Sequence, residues 1–190
     1  MNSINLKANF LKKVYLPQIS KGKLSEKEVS IVELDNKDKS DLNVLAKTAC
    51  DWENYASGYA FEIFNDAQKI KPYPDVSKEH YLALTTQNCD YANLNSDKIL
   101  GLALFQEKKT AYDEIAWLQA NPKTNHECQN RKYSGIGKSL VSFIKSLTCK
   151  PIIVSSDDNA VIFYEKQGFN ATGKYPSQMI YRGKCMDNKI

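Results

Sequence analysis

The sequence predicts one mixed α/β domain built around a single sheet. Its 190 residues are enough for one well-buried core and too few for two domains of ordinary size. Apolar residues make up 42% and charged residues 25%, as in an average soluble globular protein. Segments with strand periodicity and segments with helix periodicity follow one another along the chain, which is typical of a sheet covered by helices.

Residues 1–26 are predicted to be an extension that precedes a domain over residues 27–190. The extension mixes lysines with apolar residues at the spacing of a short helix, which would end before Pro17. A helix docked on the domain and a loose segment both fit this pattern better than a basic helix on a membrane surface. We assign the extension no chemistry.

The first half of the domain is predicted to contain a strand, two helices and two further strands. Residues 28–34 carry apolar side chains at strand spacing. Helical spacing runs over 40–70 and is interrupted near Gly58, which indicates two helices separated by a bend. The apolar runs at 80–84 and 98–105 flank a polar loop, and we expect them to pair antiparallel.

The second half is predicted to alternate strands with helices. A strand over 111–120 stops at a proline, and a long polar loop then leads to a helix with one apolar stripe. The stripe consists of Ile136, Leu140, Phe143, Ile144 and Leu147. The short apolar run at 151–154 is typical of a central strand that is buried on both faces. A helix over 159–167 ends at a glycine, and 169–174 and 178–181 are predicted to be the final strands.

A glycine turn begins the helix that follows the polar loop, where residues 134–138 read Ser-Gly-Ile-Gly-Lys. The first N–H groups of a helix have no intrahelical acceptor and lie at the positive end of its dipole, so such a turn is typical of a phosphate site. Two glycines at this junction also serve an ordinary turn. The triplet 137–139, Gly-Lys-Ser, matches the end of a P-loop, but Lys132 stands where that motif requires its first glycine.

The segment 159–169 lies about twenty residues later and supplies an asparagine and a tyrosine one strand away from the turn. Alone, its Phe163 and Tyr164 would be core aromatics of an amphipathic helix. At this distance from the glycine turn, the segment resembles the second cofactor motif of the GNAT superfamily of acyl-CoA-dependent N-acyltransferases. The signature of that superfamily, [QR]-x-x-G-x-[GA], maps onto 132–137, with Lys132 where glutamine or arginine is usual.

The resemblance covers residues 28–182 and implies a single GNAT-like α/β domain. Its central sheet would be mixed, mostly antiparallel and flanked by helices. The fourth and fifth strands of the domain, here 111–120 and 151–154, would splay apart. The gap would leave backbone groups near 118–120 free to bind a pantetheine arm and to polarise a thioester carbonyl.

By the same resemblance, the chain would use acetyl-CoA as co-substrate and would need no metal. Backbone amides over 133–138 would hold the coenzyme A pyrophosphate, and Arg131 lies one residue before the position where the signature has its glutamine or arginine. The implied cofactor-binding residues are Leu118, Gln119, Ala120, Arg131, Lys132, Tyr133, Ser134, Gly135, Ile136, Gly137, Lys138, Asn159 and Phe163.

Tyr164 and Glu114 are the catalytic residues that the resemblance implies. Tyr164 would donate a proton to the departing coenzyme A thiolate, which requires close placement because a phenol is a weak acid. Glu114 stands where several protein-acetylating members keep a general base. On strict strand alternation Glu114, Ala116 and Leu118 share one face beside the acyl site, although a solvated carboxylate at a strand end is an equal alternative.

The acceptor would be a primary amine on a small molecule, a peptide or a protein. Tyr59 and Glu62 lie, with Trp52 and Tyr55, in the helical bend that often walls the acceptor site in the superfamily. An aromatic wall with a carboxylate would suit a cationic amine, whereas core packing explains the same stripe without any ligand. The sequence selects neither an acceptor nor an oligomeric state, a dimer included.

Charge, hydropathy and cysteine spacing exclude several kinds of partner. The net charge of +4 falls far short of a dedicated nucleic-acid binder, so we expect no nucleic acid. No stretch has the apolar length of a membrane span or a signal peptide, so we expect no membrane and a cytoplasmic protein whose five cysteines are reduced. His126 and Cys128 form a His-x-Cys pair without further ligands at metal-site spacing, which indicates a solvent loop.

These patterns together predict an N-acetyltransferase that moves an acetyl group from acetyl-CoA directly to a primary amine. A catalytically inactive GNAT-like module that binds acyl-CoA or a protein is the alternative, motivated by Lys132. A P-loop nucleotide hydrolase is a third hypothesis, and its ATP turnover would depend on Lys138.

Overall fold

The described part of the chain contains eight strands and four α-helices. The computed structural model describes residues 8–20, 23–53, 58–69, 73–124, 132–175 and 177–183. The strands are β1 (Asn9–Ser20), β2 (Lys23–Leu34), β3 (Val76–Thr85), β4 (Ile99–Lys108), β5 (Asp113–Ala120), β6 (Ile152–Ser155), β7 (Asn170–Ala171) and β8 (Gln178–Tyr181). The helices are α1 (Lys39–Glu53), α2 (Tyr59–Ala67), α3 (Ile136–Ile144) and α4 (Val161–Lys166). Within these ranges, no helix combines the length and the apolar composition that crossing a bilayer requires.

All eight strands lie in one sheet, in the order β1-β2-β3-β4-β5-β6-β8-β7. The strands and helices predicted from residue 28 onward are confirmed, including the antiparallel pairing of β3 with β4, except that the strand predicted over 169–174 is confined to Asn170–Ala171. α1 begins where Asp38 accepts, at Oδ1, hydrogen bonds from the N–H groups of Ser40 and Asp41, at 2.7 and 3.2 Å. After α4, Gly168 adopts a φ of 80°, the left-handed conformation that glycine allows at a helix end.

The N-terminal segment is a strand rather than the helix predicted before Pro17, so that prediction is wrong. Asn9–Ser20 pairs antiparallel with β2 along its length. Leu16 is fully buried while its neighbour Tyr15 is 61% exposed, so the side chains alternate as they do in a strand. Over its described residues, the extension predicted at 1–26 therefore contributes to the sheet.

The core occupies both faces of the sheet. On one face α1 and α2 cover the sheet, and Trp52 and Ile63 from these helices pack with Leu104 of β4. On the other face α3 and α4 pack on the sheet, and Leu140 of α3 joins Leu16 of β1 in the same cluster. A fully buried aliphatic side chain contributes about 2 kcal/mol of transfer free energy, so packing on both faces stabilises the sheet.

β5 and β6 are the only parallel neighbours among the described strands, and they pair over just three residues. Residues 113–115 lie beside 152–154, whereas β5 continues to Ala120 without any described strand on that edge. This confirms the splay predicted between the fourth and fifth strands of the domain. The backbone of β5 is therefore exposed to a gap beyond Ile115.

A bulge bends β5 at Ala116. Its neighbours Ile115 and Trp117 lie opposite consecutive residues of β4, so Ala116 is the extra residue. Ala116 packs in the cluster covered by α1 and α2, whereas Leu118 packs in the cluster covered by α3 and α4. The strict alternation that placed Glu114, Ala116 and Leu118 on one face is therefore wrong, because the bulge resets the register.

Candidate active site

Two cavities lie beside the gap between β5 and β6. The first, of about 490 Å³, is bordered by the glycine turn before α3, and we call it the turn cavity. The second, of about 370 Å³, is bordered by Asp157 after β6, and we call it the Asp157 cavity. The residues that line both are Tyr59, Leu118, Ala160 and Tyr164. The cavities therefore meet at the gap, with these four residues between them.

The turn cavity brings together most of the cofactor residues that the sequence predicts. Those that line it are Leu118, Gln119, Ala120, Tyr133, Ser134, Gly135, Ile136, Gly137, Lys138, Asn159 and Phe163. Lys132 does not line it; its Nζ lies over the ring of Tyr133, 5.5 Å from the centroid. Arg131 lies outside the described residues.

The start of α3, on the wall of the turn cavity, has a backbone geometry that favours a negatively charged group. Gly135 occupies the N-cap with a φ of 79°, a conformation that strains any residue with a Cβ. The first intrahelical hydrogen bond runs from the N–H of Ser139 to the carbonyl of Gly135, at 2.9 Å. The N–H groups of Ile136, Gly137 and Lys138 precede this bond and have no acceptor within the helix. Together with the helix dipole, they attract a negatively charged group.

β1 holds the loop that leads into this turn. The N–H of Ile19 donates to the carbonyl of Lys132 at 2.9 Å, and the N–H of Ser134 donates to the carbonyl of Pro17 at 3.0 Å. Leu16, which is fully buried, anchors this part of β1 in the core. Among the amides predicted to hold a pyrophosphate, that of Ser134 is therefore already engaged, and β1 positions the rest of the turn.

Two glycines let the start of α3 approach its neighbours closely. A Cβ added to Gly101 of β4 would lie 2.6 Å from Cγ2 of Ile136. A Cβ added to Gly137 would lie 3.1 Å from Cζ of Phe163 on α4. The start of α3 thus lies directly on β4 and against α4. A methyl group at position 101 would force a shift, and one at position 137 would press on the Phe163 ring.

Tyr164 lies on α4 with only 5% of its surface exposed. Its ring packs edge-on against Phe163 and Phe169, with centroid separations of 4.9 and 5.4 Å. No hydrogen bond between described residues involves its hydroxyl, and the residue lines both cavities. Burial, and then the nearby Tyr59 and Asp157, raise the pKa of Tyr164 above its ordinary value, so the phenol keeps its proton.

A buried hydrogen bond ties the end of β5 to the start of α2. Gln119, which is 8% exposed, accepts at Oε1 a hydrogen bond of 2.6 Å from the N–H of Ala60. That N–H belongs to the first turn of α2, where no intrahelical acceptor exists. The contact fixes Tyr59, the first residue of α2, beside the gap.

Aromatic and polar side chains shape the Asp157 cavity. The hydroxyl of Tyr59 donates a hydrogen bond to Oδ2 of Asp157, and the Tyr59 ring stacks on Trp117 with centroids 5.5 Å apart and planes 27° apart. Burial, and then the bond to Asp157, raise the pKa of Tyr59 to about 12. Three serines also line this cavity, namely Ser155, Ser156 and Ser177.

Glu114 and Glu62 line neither cavity. Glu114 forms an ion pair with Lys108, with Oε2 and Nζ 3.0 Å apart, at the end of β5 that is paired with β6. Glu62 is exposed on α2. The structure therefore brings Tyr59 and Tyr164 together at the gap, and it places both predicted carboxylates elsewhere.

Of the other residues that the sequence singled out for an acceptor wall or a metal, Trp52 is described, and it lines neither cavity. Trp52 is 2% exposed and packs in the core, as the packing alternative states. Tyr55, His126 and Cys128 lie outside the described residues. Across the described ranges, no three His, Cys, Asp or Glu side chains approach one another as metal ligands would.

Sequence reasoning missed Asp157 and Trp117, which shape the Asp157 cavity. Asp157 follows the short buried strand β6 almost directly, and side chains at strand ends border the gap that a splay opens. The position of Asp157 almost directly after a short buried strand could therefore have indicated a site residue. Trp117 reaches the cavity through the bulge at Ala116, for which the sequence carries no comparable signal.

No family model matches the sequence, and no curated protein matches it. Among solved structures, Tetrahymena GCN5 is similar over 76% of this chain and 89% of its own, with 13% identity and a TM-score of 0.45. A protein of Klebsiella pneumoniae subsp. pneumoniae MGH 78578, assigned as an acyl-CoA N-acyltransferase, is similar over 80% of this chain and 94% of its own, with 13% identity and a TM-score of 0.46. Likenesses at this level carry no argument about function. The predicted architecture, a single α/β domain whose mixed, mostly antiparallel sheet is flanked by helices and splays beside β5, is confirmed by the strand order itself.

Proposed function

We propose that the chain is an acyl-CoA-dependent N-acyltransferase, which transfers an acetyl group from acetyl-CoA directly to a primary amine. One observation carries the proposal: Tyr164 lines both cavities where they meet, and its hydroxyl makes no hydrogen bond to a described residue. Direct transfer requires the donor and the acceptor to be held side by side with a proton donor at the junction. Tyr164 occupies that junction.

The turn cavity suits an extended thioester that carries phosphates. The N–H groups over 136–138 provide an anion site at one end, and the side chain of Lys138, which lines the cavity, adds positive charge. The other end of the cavity reaches the open edge of β5 near Leu118. Backbone groups of this edge have no described strand beside them, which supports a role in binding a pantetheine arm and in polarising a carbonyl.

Tyr164 is proposed to give its proton to the thiolate that leaves. Its raised pKa keeps the phenol protonated until negative charge develops on the sulfur. The same raised pKa makes the phenol a weaker acid than a free thiol, so the transfer depends on close contact in a dry site. The burial of the ring, packed between Phe163 and Phe169, supports such a placement away from solvent.

The acceptor is proposed to be the amine of a small molecule, a peptide or a protein, bound in the Asp157 cavity. Glu114 is the general base that the family resemblance implies, but its ion pair with Lys108 and its position outside both cavities do not support that role. Tyr59, by contrast, lines the Asp157 cavity and supports a role in walling the acceptor site.

We further propose that the protein acts in the cytoplasm. Cys50 and Cys89 are free thiols on the surface of the described part of the chain. Exposed free thiols persist in a reducing compartment, which supports this location.

The test measures coenzyme A thiol release from acetyl-CoA with a panel of amines and peptides, alongside calorimetry with acetyl-CoA. Tyr164→Phe removes one hydroxyl from a buried ring and is expected to slow turnover about 100-fold while leaving acetyl-CoA affinity within about twofold. Tyr175→Phe, at a tyrosine that is 66% exposed and lines neither cavity, is the matched control and should behave as the wild type.

Two results would overturn the proposal. Absence of acetyl-CoA binding at millimolar concentration would remove the cofactor assignment. Tight binding without turnover on any amine would instead assign the chain to the alternative, a binding module without catalysis.

A further inference from the structure

We infer that Asp157, positioned by Tyr59, takes the proton from the acceptor amine, and that the site therefore selects cationic primary amines with no carboxylate beside the nitrogen. The inference rests on the proposed function and adds to it a catalytic residue and a class of acceptor. It is carried by the hydrogen bond of Tyr59 to Asp157 and by the residues that line the Asp157 cavity.

The placement of Asp157 is fixed by a contact between distant parts of the chain. Tyr59, at the start of α2, donates its hydroxyl proton to Oδ2 of Asp157, which follows β6. The N–H of Ala60 is held in turn by Gln119 of β5. Hydrogen bonds among described residues leave the second oxygen, Oδ1 of Asp157, without a donor. One carboxylate oxygen thus orients the group, and the other remains available to a ligand.

Asp157 supplies the negative charge of its cavity. The titratable side chains that line the described cavity are Tyr59, Asp157 and Tyr164. Both tyrosines are neutral at physiological pH, because burial raises their pKa values above the ordinary value. No lysine, arginine or histidine is among the described lining residues. A cation is therefore attracted to this cavity, and the stacked rings of Tyr59 and Trp117 add a favourable aromatic surface.

The other carboxylates near the gap are engaged elsewhere. Glu114 pairs with Lys108 at 3.0 Å and lies outside the cavity. Asp66 accepts a hydrogen bond from the indole N–H of Trp117 at 3.0 Å and forms an ion pair with Lys69. Asp157 is left as the carboxylate that an amine in the cavity would meet.

In the proposed step Asp157 deprotonates the amine and Tyr164 protonates the sulfur that leaves. A proton of the ammonium passes to Oδ1 of Asp157, and the freed nitrogen lone pair forms a bond to the thioester carbonyl carbon. The carbon–sulfur bond then breaks, and the sulfur takes the proton of the Tyr164 hydroxyl. A second proton leaves the nitrogen as the amide forms and restores Tyr164 through solvent. Asp157 is itself exposed, so its proton passes to bulk water.

The charge of the cavity also predicts which amines are accepted. An amine whose α-carbon carries a carboxylate would bring a second negative charge next to Asp157. Like charges at such close range disfavour binding. Phenethylamine and phenylalanine differ in this carboxylate alone, so they form a matched pair of probes.

The experiment measures kcat/KM between pH 6.5 and pH 10 for the wild type, Asp157→Asn and Asp158→Asn. Asp158 is the exposed neighbour that lines neither cavity, so its variant is the control. We expect Asp157→Asn to lower kcat/KM about 100-fold at pH 7, and the deficit to shrink as the pH approaches about 10, where an alkylamine loses its proton unaided. Acetyl-CoA affinity should stay within about twofold, which shows that the variant is folded.

Tyr59→Phe provides a second variant, which leaves the Asp157 carboxylate in place. Tyr59 is a positioning residue that acts through its hydrogen bond to Asp157. Loss of its hydrogen bond is expected to lower kcat/KM about tenfold with the same pH dependence as Asp157→Asn. The wild type should prefer phenethylamine to phenylalanine by at least about tenfold, and Asp157→Asn should narrow that preference. A deficit that is equal at every pH would assign Asp157 a structural role and overturn the inference.

Failure of this inference is distinguishable from failure of the proposed function. An Asp157→Asn enzyme with wild-type kcat/KM at pH 7 overturns the role of Asp157 and leaves the acyltransferase standing. Equal use of the two probes by the wild type overturns the acceptor class. A wild type that binds no acetyl-CoA, or that acylates no amine, overturns the function and this inference with it.

Discussion

The turn cavity and the Asp157 cavity share four residues at the gap but are built from different kinds of atoms. The turn cavity is shaped by main chain: the N–H groups at the start of α3, two glycines, and the β1 backbone that holds the loop. The Asp157 cavity is shaped by side chains from α2, β5 and the segment after β6. A main-chain site is lost when a Cβ intrudes, whereas a side-chain site depends on the identity of each group.

Gly137→Val should have the largest effect on ligand affinity, and it acts on the turn cavity alone. A Cβ at this position would already lie 3.1 Å from the Phe163 ring, and two further methyl groups would push the turn off α4. We expect coenzyme A affinity to fall about 100-fold, which corresponds to about 3 kcal/mol. Calorimetric titration with coenzyme A measures the change.

Ser142→Val is the matched control for that variant, since it places the same β-branched residue on the exposed face of α3. Its cost should be confined to helix propensity, about 0.5 kcal/mol of stability, with affinity retained. Equal losses of affinity in both variants would mean that α3 as a whole, and not the turn, determines binding.

Ile19→Pro should have the next largest effect, although residue 19 lies outside the turn cavity. Proline removes the N–H that donates to the carbonyl of Lys132, so β1 would hold the loop by one hydrogen bond fewer. If the lost hydrogen bond contributes about 1 kcal/mol to the free energy of binding, coenzyme A affinity should be about fivefold weaker. The control is Tyr15→Pro, because strand alternation turns the N–H of Tyr15 to the same edge of β1, where the described residues supply no backbone acceptor.

An unchanged coenzyme A affinity in Ile19→Pro would contradict the proposal that β1 positions the glycine turn. A loss of the same size in Tyr15→Pro would show instead that any disturbance of the β1–β2 hairpin reaches the turn. Thermal unfolding of both proteins, recorded in parallel, separates a local effect from a loss of stability.

The main-chain groups of the turn cavity could be predicted because the sequence patterns that indicate them are local. The glycines at 135 and 137, the apolar stripe of α3 and the short buried strand before Asp157 each follow from a few neighbouring residues. Helix and strand periodicity report such elements directly. The open edge of β5 followed from the resemblance to a family, and the three-residue pairing with β6 confirms it.

The side-chain groups of the Asp157 cavity could be predicted only in part, as at Tyr59, because their arrangement depends on contacts between distant residues. Tyr59 and Asp157 are 98 positions apart, and the bulge at Ala116 changes which side chains of β5 reach the gap. β1 was mistaken for a helix because its apolar residues suit either periodicity over so short a stretch. Its pairing with β2 and with the loop at 132–134 decides in favour of the strand.

Trp117→Phe should affect the Asp157 cavity alone and by a smaller factor. The substitution keeps an aromatic ring against Tyr59 but removes the indole N–H that donates to Asp66 at 3.0 Å. If the lost hydrogen bond contributes about 1 kcal/mol to the free energy of amine binding, KM for the amine should rise about fivefold or less. Coenzyme A affinity should not change. Equal changes for both ligands would show that the two cavities are not independent.

His80 lies in the sheet away from both cavities, so replacing it should change ligand affinity least of all. Its Nδ1 lies 2.7 Å from Oε1 of Glu33, its Nε2 lies 2.8 Å from Oε1 of Glu107, and its ring stacks on Phe105. Burial opposes a charge on the ring, as does Lys78 nearby, but the hydrogen bonds with the two carboxylates outweigh both and raise the pKa of His80.

The raised pKa determines how stability should depend on pH. A histidine with a higher pKa in the folded state stabilises fully below its unfolded pKa of about 6.5, and this contribution is lost as the pH rises through the folded pKa. The pKa of Glu33 is lowered, chiefly by its bond to His80, so its contribution is lost as the pH falls through that lower value. The free energies of unfolding in urea of the wild type and His80→Gln should therefore differ most between about pH 4.5 and 6.5, by about 2 kcal/mol, and less once the pH has risen through the raised pKa of His80. A difference that is constant with pH would mean that His80 is held as a neutral ring. A change in coenzyme A affinity would mean that the turn cavity responds to any lesion in the sheet, and not to its own main chain.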